Sequence, residues 1–271
     1  MADIYKALSI AGTDPSGGAG IHADLKTFQE LDVYGMAVVT AIVAQNTLGV
    51  KNFTKVSLNL IEQQIVAINE DIFPNAVKTG MLSDCSIIEL VAYKVKQSRL
   101  KNVVVDPVMV AKSGDLLLEK DARDSMLKQL VPLATVITPN IPEAEILTGK
   151  EISSIEDMRN AAKELVEKYG AQAAVVKGGH FSGEARDILY VGSDFEELSS
   201  QGFDTPHTHG TGCTFSAVIT AELAKRKTIQ QAVYNAKQFI TCAIQYTLGI
   251  GKGRGPTNHW AFNKKKEHGE L

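Results

Sequence analysis

The segment ALSIAGTDPSGGAGIHADLKTF, residues 7–28, decides the fold class of this chain. It opens with an apolar run, continues through four glycines, and ends with Ile21, Leu25 and Phe28 at helical spacing. A strand that enters a helix through a glycine-rich turn is the first half of a βαβ unit. The glycines also let backbone N–H groups approach a ligand at the amino end of that helix. The segment therefore predicts an α/β fold with a binding site at a strand end.

The same alternation of strand and helix patterns continues along the chain. Further strands are predicted at residues 36–44, 103–110, 134–140 and 173–179. Between them, apolar residues recur at three- and four-residue spacing across residues 61–72, which predicts a crossover helix. This order favours a central, mostly parallel sheet with helices on both faces. Because no linker, repeat or low-complexity tract interrupts it, we predict a single domain over residues 1–271.

Composition and charge limit the class of partner. Hydrophobic residues make up 44% of the chain and charged residues 22%, which is typical of a folded domain. The formal net charge of -3 lacks the basic footprint of a protein that binds nucleic acid or an anionic membrane. No signal-peptide pattern and no run of about 18 apolar residues occurs. Three cysteines without a C-x-x-C pair indicate a reducing compartment. We expect a cytoplasmic protein with a small-molecule partner.

A second glycine-rich segment, HTHGTGCTFSAVITAEL at residues 207–223, predicts an anion site. Gly210 and Gly212 precede an apolar helix, so consecutive amides are expected to point at one place. These amides and the helix dipole would stabilise the charge on a transferred phosphoryl group. The same field is expected to lower the pKa of Cys213 toward the thiolate. The alternative is a small cysteine that only packs.

Polar residues at the other predicted strand ends indicate a site for a metal and a nucleotide. Asp106 ends a valine run and is well placed to position Mg²⁺. Asn140 and Glu143 would complete an oxygen-rich site, unless Asn140 only caps the next helix. The ammonium groups of Lys177 and Lys112 would neutralise phosphate charge on ATP. For Lys112, a solvated surface lysine is the alternative.

Gln45 interrupts the apolar run AIVAQNTLGV and indicates the other ligand. A primary amide places a donor beside an acceptor, which matches the N–H and ring nitrogen of an aminopyrimidine. A buried structural glutamine is the competing interpretation. Residues 18–23 also fit a loose dinucleotide-binding pattern, but no acidic residue follows about 20 positions later. A dinucleotide-dependent oxidoreductase is therefore a weaker hypothesis.

Seven motifs, taken together, carry a resemblance to a known family. They are AGTDPSGGAGIHADLKTF, TAIVAQNTLGV, KTGML, VVDPVMVAKSGD, ITPNIPEAE, VVKGGH and THGTGCTFSA. They closely resemble the hydroxymethylpyrimidine/phosphomethylpyrimidine kinases of thiamine biosynthesis, over nearly the whole chain. The resemblance implies a ribokinase-like fold in which the substrate and ATP meet at the strand ends. It also implies two successive phosphorylations, first of the aminopyrimidine alcohol and then of its monophosphate.

The resemblance also implies roles for individual residues. It assigns the pyrimidine to Gln45, Gly12, Val43, Asp24 and Met81, and Mg-ATP to Asp106, Asn140, Glu143 and Lys177. Many ribokinase-like enzymes carry an aspartate base where this chain has Cys213. Our hypothesis is that the Cys213 thiolate takes the substrate hydroxyl proton while the amides of Gly210, Thr211 and Gly212 hold the γ-phosphoryl group.

Two alternatives remain within this resemblance. A related bacterial branch phosphorylates pyridoxal and tends to read MVCKG where this chain reads MVAKS at residues 109–113. Ala111 therefore favours the pyrimidine, with pyridoxal as the second substrate. A vitamer-binding protein without catalysis is a remote third hypothesis. Because this fold often dimerises, we expect a homodimer, and residues 110–115 are a candidate lid.

Overall fold

Ten strands and nine α-helices form the regular structure of residues 4–109, 120–179 and 184–269, which are the residues described by a computed structural model. The strands are β1 (Lys6–Ala11), β2 (Tyr34–Val39), β3 (Ala41–Asn46), β4 (Gly49–Lys55), β5 (Ala76–Thr79), β6 (Val103–Val105), β7 (Val136–Ile137), β8 (Ala173–Lys177), β9 (Glu184–Val191) and β10 (Asp194–Gln201). The helices are α1 (Gly20–Glu30), α2 (Leu58–Asp71), α3 (Cys85–Gln97), α4 (Lys120–Ser125), α5 (Ile141–Thr148), α6 (Ile155–Glu167), α7 (Thr211–Ala224), α8 (Ile229–Gln245) and α9 (Ala261–Glu267).

The central sheet has eight strands in the order β10-β9-β8-β7-β6-β5-β1-β2. The pairs from β8 to β2 are parallel, and β9 runs antiparallel to both of its neighbours. The prediction of a mostly parallel central sheet is therefore confirmed. Strands β3 and β4 form a separate antiparallel hairpin. Since most of the strands point the same way, their carboxyl ends share one edge of the sheet.

Helices cover both faces of the sheet, as predicted. Along β1, Leu8 and Ile10 enter one apolar core, whereas Ala7 enters the other. The first core receives side chains from α2 to α6, and the second receives them from α1, α7 and α8. Alternate residues of a strand point to opposite faces, so each buried strand supplies both cores. No helix within the described ranges is both long and apolar enough to cross a membrane.

The predicted strand at residues 36–44 is wrong as a single strand. The chain leaves the central sheet at Thr40, so its first part is β2 and its second part is β3 of the hairpin. The buried Thr40 side chain donates to the carbonyl oxygen of Met81 at 2.8 Å, and its N–H donates to that of Ala11 at 3.0 Å. These bonds fix the crossing point and direct the hairpin over the carboxyl ends of β1 and β5.

Candidate functional site

A cavity of about 460 Å³ lies at the carboxyl ends of β1, β5, β6 and β8, beside the β3–β4 hairpin. It brings together most residues that the sequence analysis singled out. Those that line it are Gly12, Val43, Gln45, Met81, Asp106, Asn140, Glu143, Lys177, Gly210, Gly212 and Cys213. Gln45 and Cys213 therefore share one cavity. Lys112, Ala111 and the candidate lid at residues 110–115 lie outside the described residues.

Asp24, which was predicted to lie around the substrate, is not among the residues that line the cavity. Its fully buried carboxylate accepts two bonds from Lys78 Nζ, at 2.8 and 2.9 Å, and one from Ser9 Oγ at 2.6 Å. Lys78 is the residue of this pair that lines the cavity. Burial alone would lower the pKa of Lys78, but the Asp24 carboxylate, together with Cys213 and Asp106, outweighs burial and raises it well above its ordinary value. The pair thus holds the Lys78 ammonium group, which is fully buried, directly behind the cavity wall.

At the end of the cavity that carries the hairpin, a β-bulge sets the position of Gln45. The register of β3 against β4 shifts between Ala44 and Gln45, and such a bulge redirects a side chain. Gln45 is half-buried and lines the cavity, unlike a fully packed structural glutamine. Nearby, the N–H of Val43 donates to Thr13 Oγ1 at 2.9 Å, so that backbone donor is already occupied.

At another part of the cavity wall, helix α7 begins against the first glycine-rich loop. Gly210 has a φ of 80°, and a Cβ there would overlap the carbonyl oxygen of Gly18. The position therefore requires glycine. Thr211 is not among the residues that line the cavity, and its N–H and Oγ1 both donate to the carbonyl oxygen of Thr208, at 3.3 and 2.6 Å. The Thr211 amide that was predicted to face a phosphoryl group is thus already bonded, whereas Gly212 and Cys213, whose amides also belong to the first turn of α7, line the cavity.

The expected lowering of the Cys213 pKa is also wrong. Burial raises the pKa of this thiol to about 11, while the Lys78 charge and the N–H of Gly20 act in the opposite direction without outweighing it. Cys213 is nonetheless only half-buried and lines the cavity, so it does more than fill the core. In the ligand-free protein it is a protonated thiol at neutral pH.

Asp106 lies between two lysines on the cavity floor. Lys177 Nζ is 3.6 Å from its Oδ1, and Lys78 Nζ is 3.9 Å from its Oδ2. The Ser216 hydroxyl also donates to Oδ2, at 3.0 Å. The carboxylate is 2% exposed, so these partners hold it in one orientation toward the cavity.

The sequence left open whether Asn140 belongs to a metal site with Glu143 or only caps a helix. The structure places both residues in a helix cap and also at the cavity wall. They form a capping box at the start of α5, with Asn140 Oδ1 accepting from the Glu143 N–H and Glu143 Oε2 accepting from the Asn140 N–H, both at 2.9 Å. Both residues also line the cavity. Burial raises the pKa of Glu143 to about 7, against the opposing charge of Lys177.

The carboxylates fit a magnesium ion that is shared with a nucleotide. No cluster of three or more histidine, cysteine, aspartate or glutamate side chains with metal-binding geometry occurs in the part of the chain that is described. Mg²⁺, however, is usually held by one or two carboxylates together with substrate phosphates and water. Asp106 and Glu143 supply hard oxygen donors of this kind at the cavity wall.

The sequence analysis missed several residues of the site. Lys78, His209 and Arg254 line the cavity. Ser216 is not a lining residue, but its hydroxyl donates to Asp106 and so orients that carboxylate. Lys78 left a signal, because a lysine within the apolar strand AVKT is unusual. The other three gave no local signal, since their positions depend on contacts between distant parts of the chain.

The sequence matches a family model, described as phosphomethylpyrimidine kinase, over residues 14–258. It is 51% identical over 263 residues to the hydroxymethylpyrimidine/phosphomethylpyrimidine kinase of Bacillus subtilis (strain 168), covering 96% of this chain and 97% of the relative. Among solved structures, the ADP complex of Bacillus subtilis pyridoxal kinase has a TM-score of 0.90 and 47% identity, covering 96% and 99% of the two chains. The pyridoxal kinase of Staphylococcus aureus, in complex with AMP-PCP and pyridoxal, has a TM-score of 0.90 and 39% identity, covering 97% and 96%.

Proposed function

The chain belongs to the phosphomethylpyrimidine kinase family, and from this membership we propose that it phosphorylates hydroxymethylpyrimidine and then its monophosphate, with Mg-ATP, in thiamine biosynthesis. Its fold is ribokinase-like, as its similarity to solved vitamin kinases shows. The observation that carries the proposal is the single cavity lined by both Gln45 and Cys213. An acceptor ring at one end can present its hydroxymethyl group to a phosphoryl donor at the other.

At the acceptor end, Gln45 holds the aminopyrimidine through its side-chain amide. The amide oxygen accepts from the exocyclic amino group, and the amide nitrogen donates to the adjacent ring nitrogen. Met81 and Val43, which line the same cavity, supply apolar contact with the ring. Asp24 contributes through the Lys78 ammonium that it holds.

At the phosphoryl end, the first-turn amides of α7 receive the γ-phosphoryl group of ATP. Lys177 adds a positive charge beside these amides. Its Nζ lies close to Gly212, since a Cβ built on that glycine would be 3.4 Å from it. Asp106 and Glu143 would hold Mg²⁺, with Asn140 fixing Glu143 through the capping box. At this position Mg²⁺ would supply positive charge against the phosphate groups.

Cys213 takes the proton of the acceptor hydroxyl as that oxygen attacks the γ-phosphorus. The O–H bond breaks, a P–O bond forms to the acceptor, and the bond between the γ-phosphorus and the β–γ bridging oxygen breaks to release ADP. Cys213 must be a thiolate to accept this proton, so only the deprotonated fraction of the enzyme is competent. The Lys78 ammonium, which lowers the pKa of this thiol, favours that form.

Pyridoxal is the second candidate acceptor. The structural similarity to two pyridoxal kinases, each with a TM-score of 0.90, favours it. Both vitamers carry a hydroxymethyl group on a nitrogen heterocycle, so the same cavity chemistry serves either. Membership of a kinase family argues against the hypothesis of a dinucleotide-dependent oxidoreductase. Because Asp106, Lys177 and Cys213 line one cavity, we also disfavour a vitamer-binding protein without catalysis.

The proposed assembly is a homodimer formed through the β3–β4 hairpin. Ile42 and Leu48 on this hairpin are large, apolar and exposed. Large apolar side chains left exposed on one element are typical of a protein–protein contact. A second copy of the chain is the partner that we propose.

A phosphate-transfer assay tests the proposed function. Hydroxymethylpyrimidine, its monophosphate and pyridoxal are each offered with Mg-ATP, and kcat/KM is measured for the three acceptors. We expect the pyrimidine alcohol and its monophosphate both to be phosphorylated, and pyridoxal to be used less efficiently. A preference for pyridoxal would replace the proposed substrate, and no transfer to any of the three would refute the kinase proposal.

A further inference from the structure

We infer that Asp14 and His209 are positioning residues that lock the amino ends of α1 and α7 into one phosphoryl-binding cradle. The two residues are 195 positions apart in the chain, and His209 Nε2 lies 2.7 Å from Asp14 Oδ2. This inference rests on the proposed function, because it concerns the group that the cavity would hold at its phosphoryl end.

Asp14 organises the whole first glycine-rich loop. Its Oδ1 accepts from the N–H and the Oγ of Ser16, at 2.9 and 2.7 Å. Its Oδ2 accepts from the N–H groups of Gly18 and Ala19, at 3.1 and 2.8 Å, in addition to His209. Burial alone would raise the pKa of Asp14, but the bonds from His209 and Ser16 outweigh burial and hold it well below its usual range. The side chain is therefore a carboxylate throughout the neutral range.

His209 connects this carboxylate to the second glycine-rich loop. It directly precedes Gly210, the N-cap residue of α7, and it lines the cavity. Its own backbone is held from the other side, since its N–H donates to the carbonyl oxygen of Gly255 and its carbonyl oxygen accepts from Thr257, both at 3.1 Å. His209 is thus held through its backbone and through Nε2, which leaves α7 little freedom to move away from the first loop.

The two loops also meet at the point where chemistry is proposed. The carbonyl oxygen of Gly18, whose N–H is bound by Asp14, packs against Gly210 so closely that no Cβ fits there. Gly20, at the start of α1, and Cys213, in the first turn of α7, line the same cavity. The cradle therefore draws on both helices, and the Asp14–His209 contact holds them in register.

The experiment compares His209→Ala, His209→Gln and Asp14→Asn with the parent enzyme. The Gln side chain retains a nitrogen that can donate to Asp14, so it serves as the conservative rescue. Because a misplacement of about 1 Å can cost about 100-fold in rate, we expect His209→Ala to lower kcat by about 10- to 100-fold. The KM for hydroxymethylpyrimidine should stay within about twofold, since Gln45 belongs to a different element, and His209→Gln should recover most of the rate.

Binding without turnover gives an independent readout. Calorimetric titration with AMP-PCP should show weaker affinity in His209→Ala and Asp14→Asn than in the parent, whether or not the pyrimidine is the true acceptor. His268→Ala and Asp71→Asn make related changes at exposed sites and should match the parent. The double variant Asp14→Asn/His209→Ala should lose no more kcat than the worse single variant, because both remove one contact.

Three results would overturn the inference. The first is a kcat for His209→Ala equal to that of the parent. The second is a loss of kcat that His209→Gln does not restore, together with a lower melting temperature for His209→Ala. That combination would indicate a purely structural role. The third is multiplication of the two single effects in the double variant.

Discussion

Cys213 is protonated at neutral pH because burial raises its pKa to about 11. If its thiolate takes the acceptor proton, kcat/KM should rise about tenfold per pH unit from pH 7 to 9, as the competent fraction grows. Cys213→Ala should lose this rise and fall by about 100- to 10,000-fold in rate. Rate profiles of both enzymes from pH 6 to 10 measure this. A flat profile for the parent, or an unchanged rate in Cys213→Ala, would remove the thiol from the chemistry.

Glu143 makes folding stability depend on pH. Its pKa of about 7 lies above the ordinary 4.5, so the folded state favours the protonated carboxyl. That contribution is fully present below pH 4.5 and is lost as pH rises through 7, amounting to about 3 kcal/mol. Glu143→Gln keeps an oxygen for the capping box and removes the charge. We expect this variant to be more stable than the parent at pH 8 and equal at pH 5.

Chemical denaturation at the two pH values checks this expectation, and Glu70→Gln, an exposed change of the same kind, is the control. An equal pH dependence in Glu143→Gln and the parent would contradict it. The charged form that destabilises the apoprotein is also the form that would bind Mg²⁺. The same substitution should therefore lower activity while it raises stability.

At the scale of elements, the Lys78–Asp24 pair joins β5 to α1 in the core beneath the cavity. Removing one member leaves a buried charge without compensation, so Lys78→Met should lower the free energy of unfolding by about 3–5 kcal/mol. The double variant Lys78→Met/Asp24→Asn should recover part of this loss. Lys168→Met, which breaks the exposed pair with Glu164, should cost less than about 1 kcal/mol. Equal losses for Lys78→Met and Lys168→Met by urea denaturation would refute this view.

Local elements were predictable where the sequence pattern alone decides them. The strand, glycine turn and helix of residues 7–28 form as expected, since apolar spacing and glycine act within a few residues. The break at Thr40 was not predictable, because it depends on bonds to Met81 and Ala11 from other strands. The inward amides of α7 were only partly predictable. Which of them face the cavity depends on the turn at Thr208, which takes the Thr211 N–H.

At the scale of the whole molecule, the site could be located but not completed from the sequence. The carboxyl ends of parallel strands share one edge, which is why Asp106, Asn140 and Lys177 were expected together and line one cavity. The Asp14–His209 contact joins residues that are 195 positions apart in the chain, and no local pattern encodes it. The high pKa of Cys213 likewise results from the packing of several elements around the thiol, which outweighs the field of one helix.

The proposed homodimer also belongs to this scale. Ile42, on the hairpin, is 62% exposed, and Tyr93, on α3, is 59% exposed, so the two are matched apolar surface residues. Ile42→Ser should weaken self-association, whereas Tyr93→Ser should not, because only Ile42 lies on the hairpin. Sedimentation velocity over a range of concentrations measures the difference. A monomeric parent, or equal behaviour of the two variants, would refute the hairpin interface.

The most direct test of the account is an affinity label shaped like the acceptor. The bromomethyl analogue of hydroxymethylpyrimidine carries bromine in place of the reacting hydroxyl group, so its methylene carbon is an electrophile directly beside that position. A ring held by Gln45 should direct it to Cys213, so mass spectrometry should find that cysteine alkylated and Cys85 and Cys242 spared. Labelling should slow in Gln45→Met and in the presence of free hydroxymethylpyrimidine. Equal labelling of the three cysteines, or labelling of Cys213 that neither change slows, would contradict an acceptor site shared by Gln45 and Cys213.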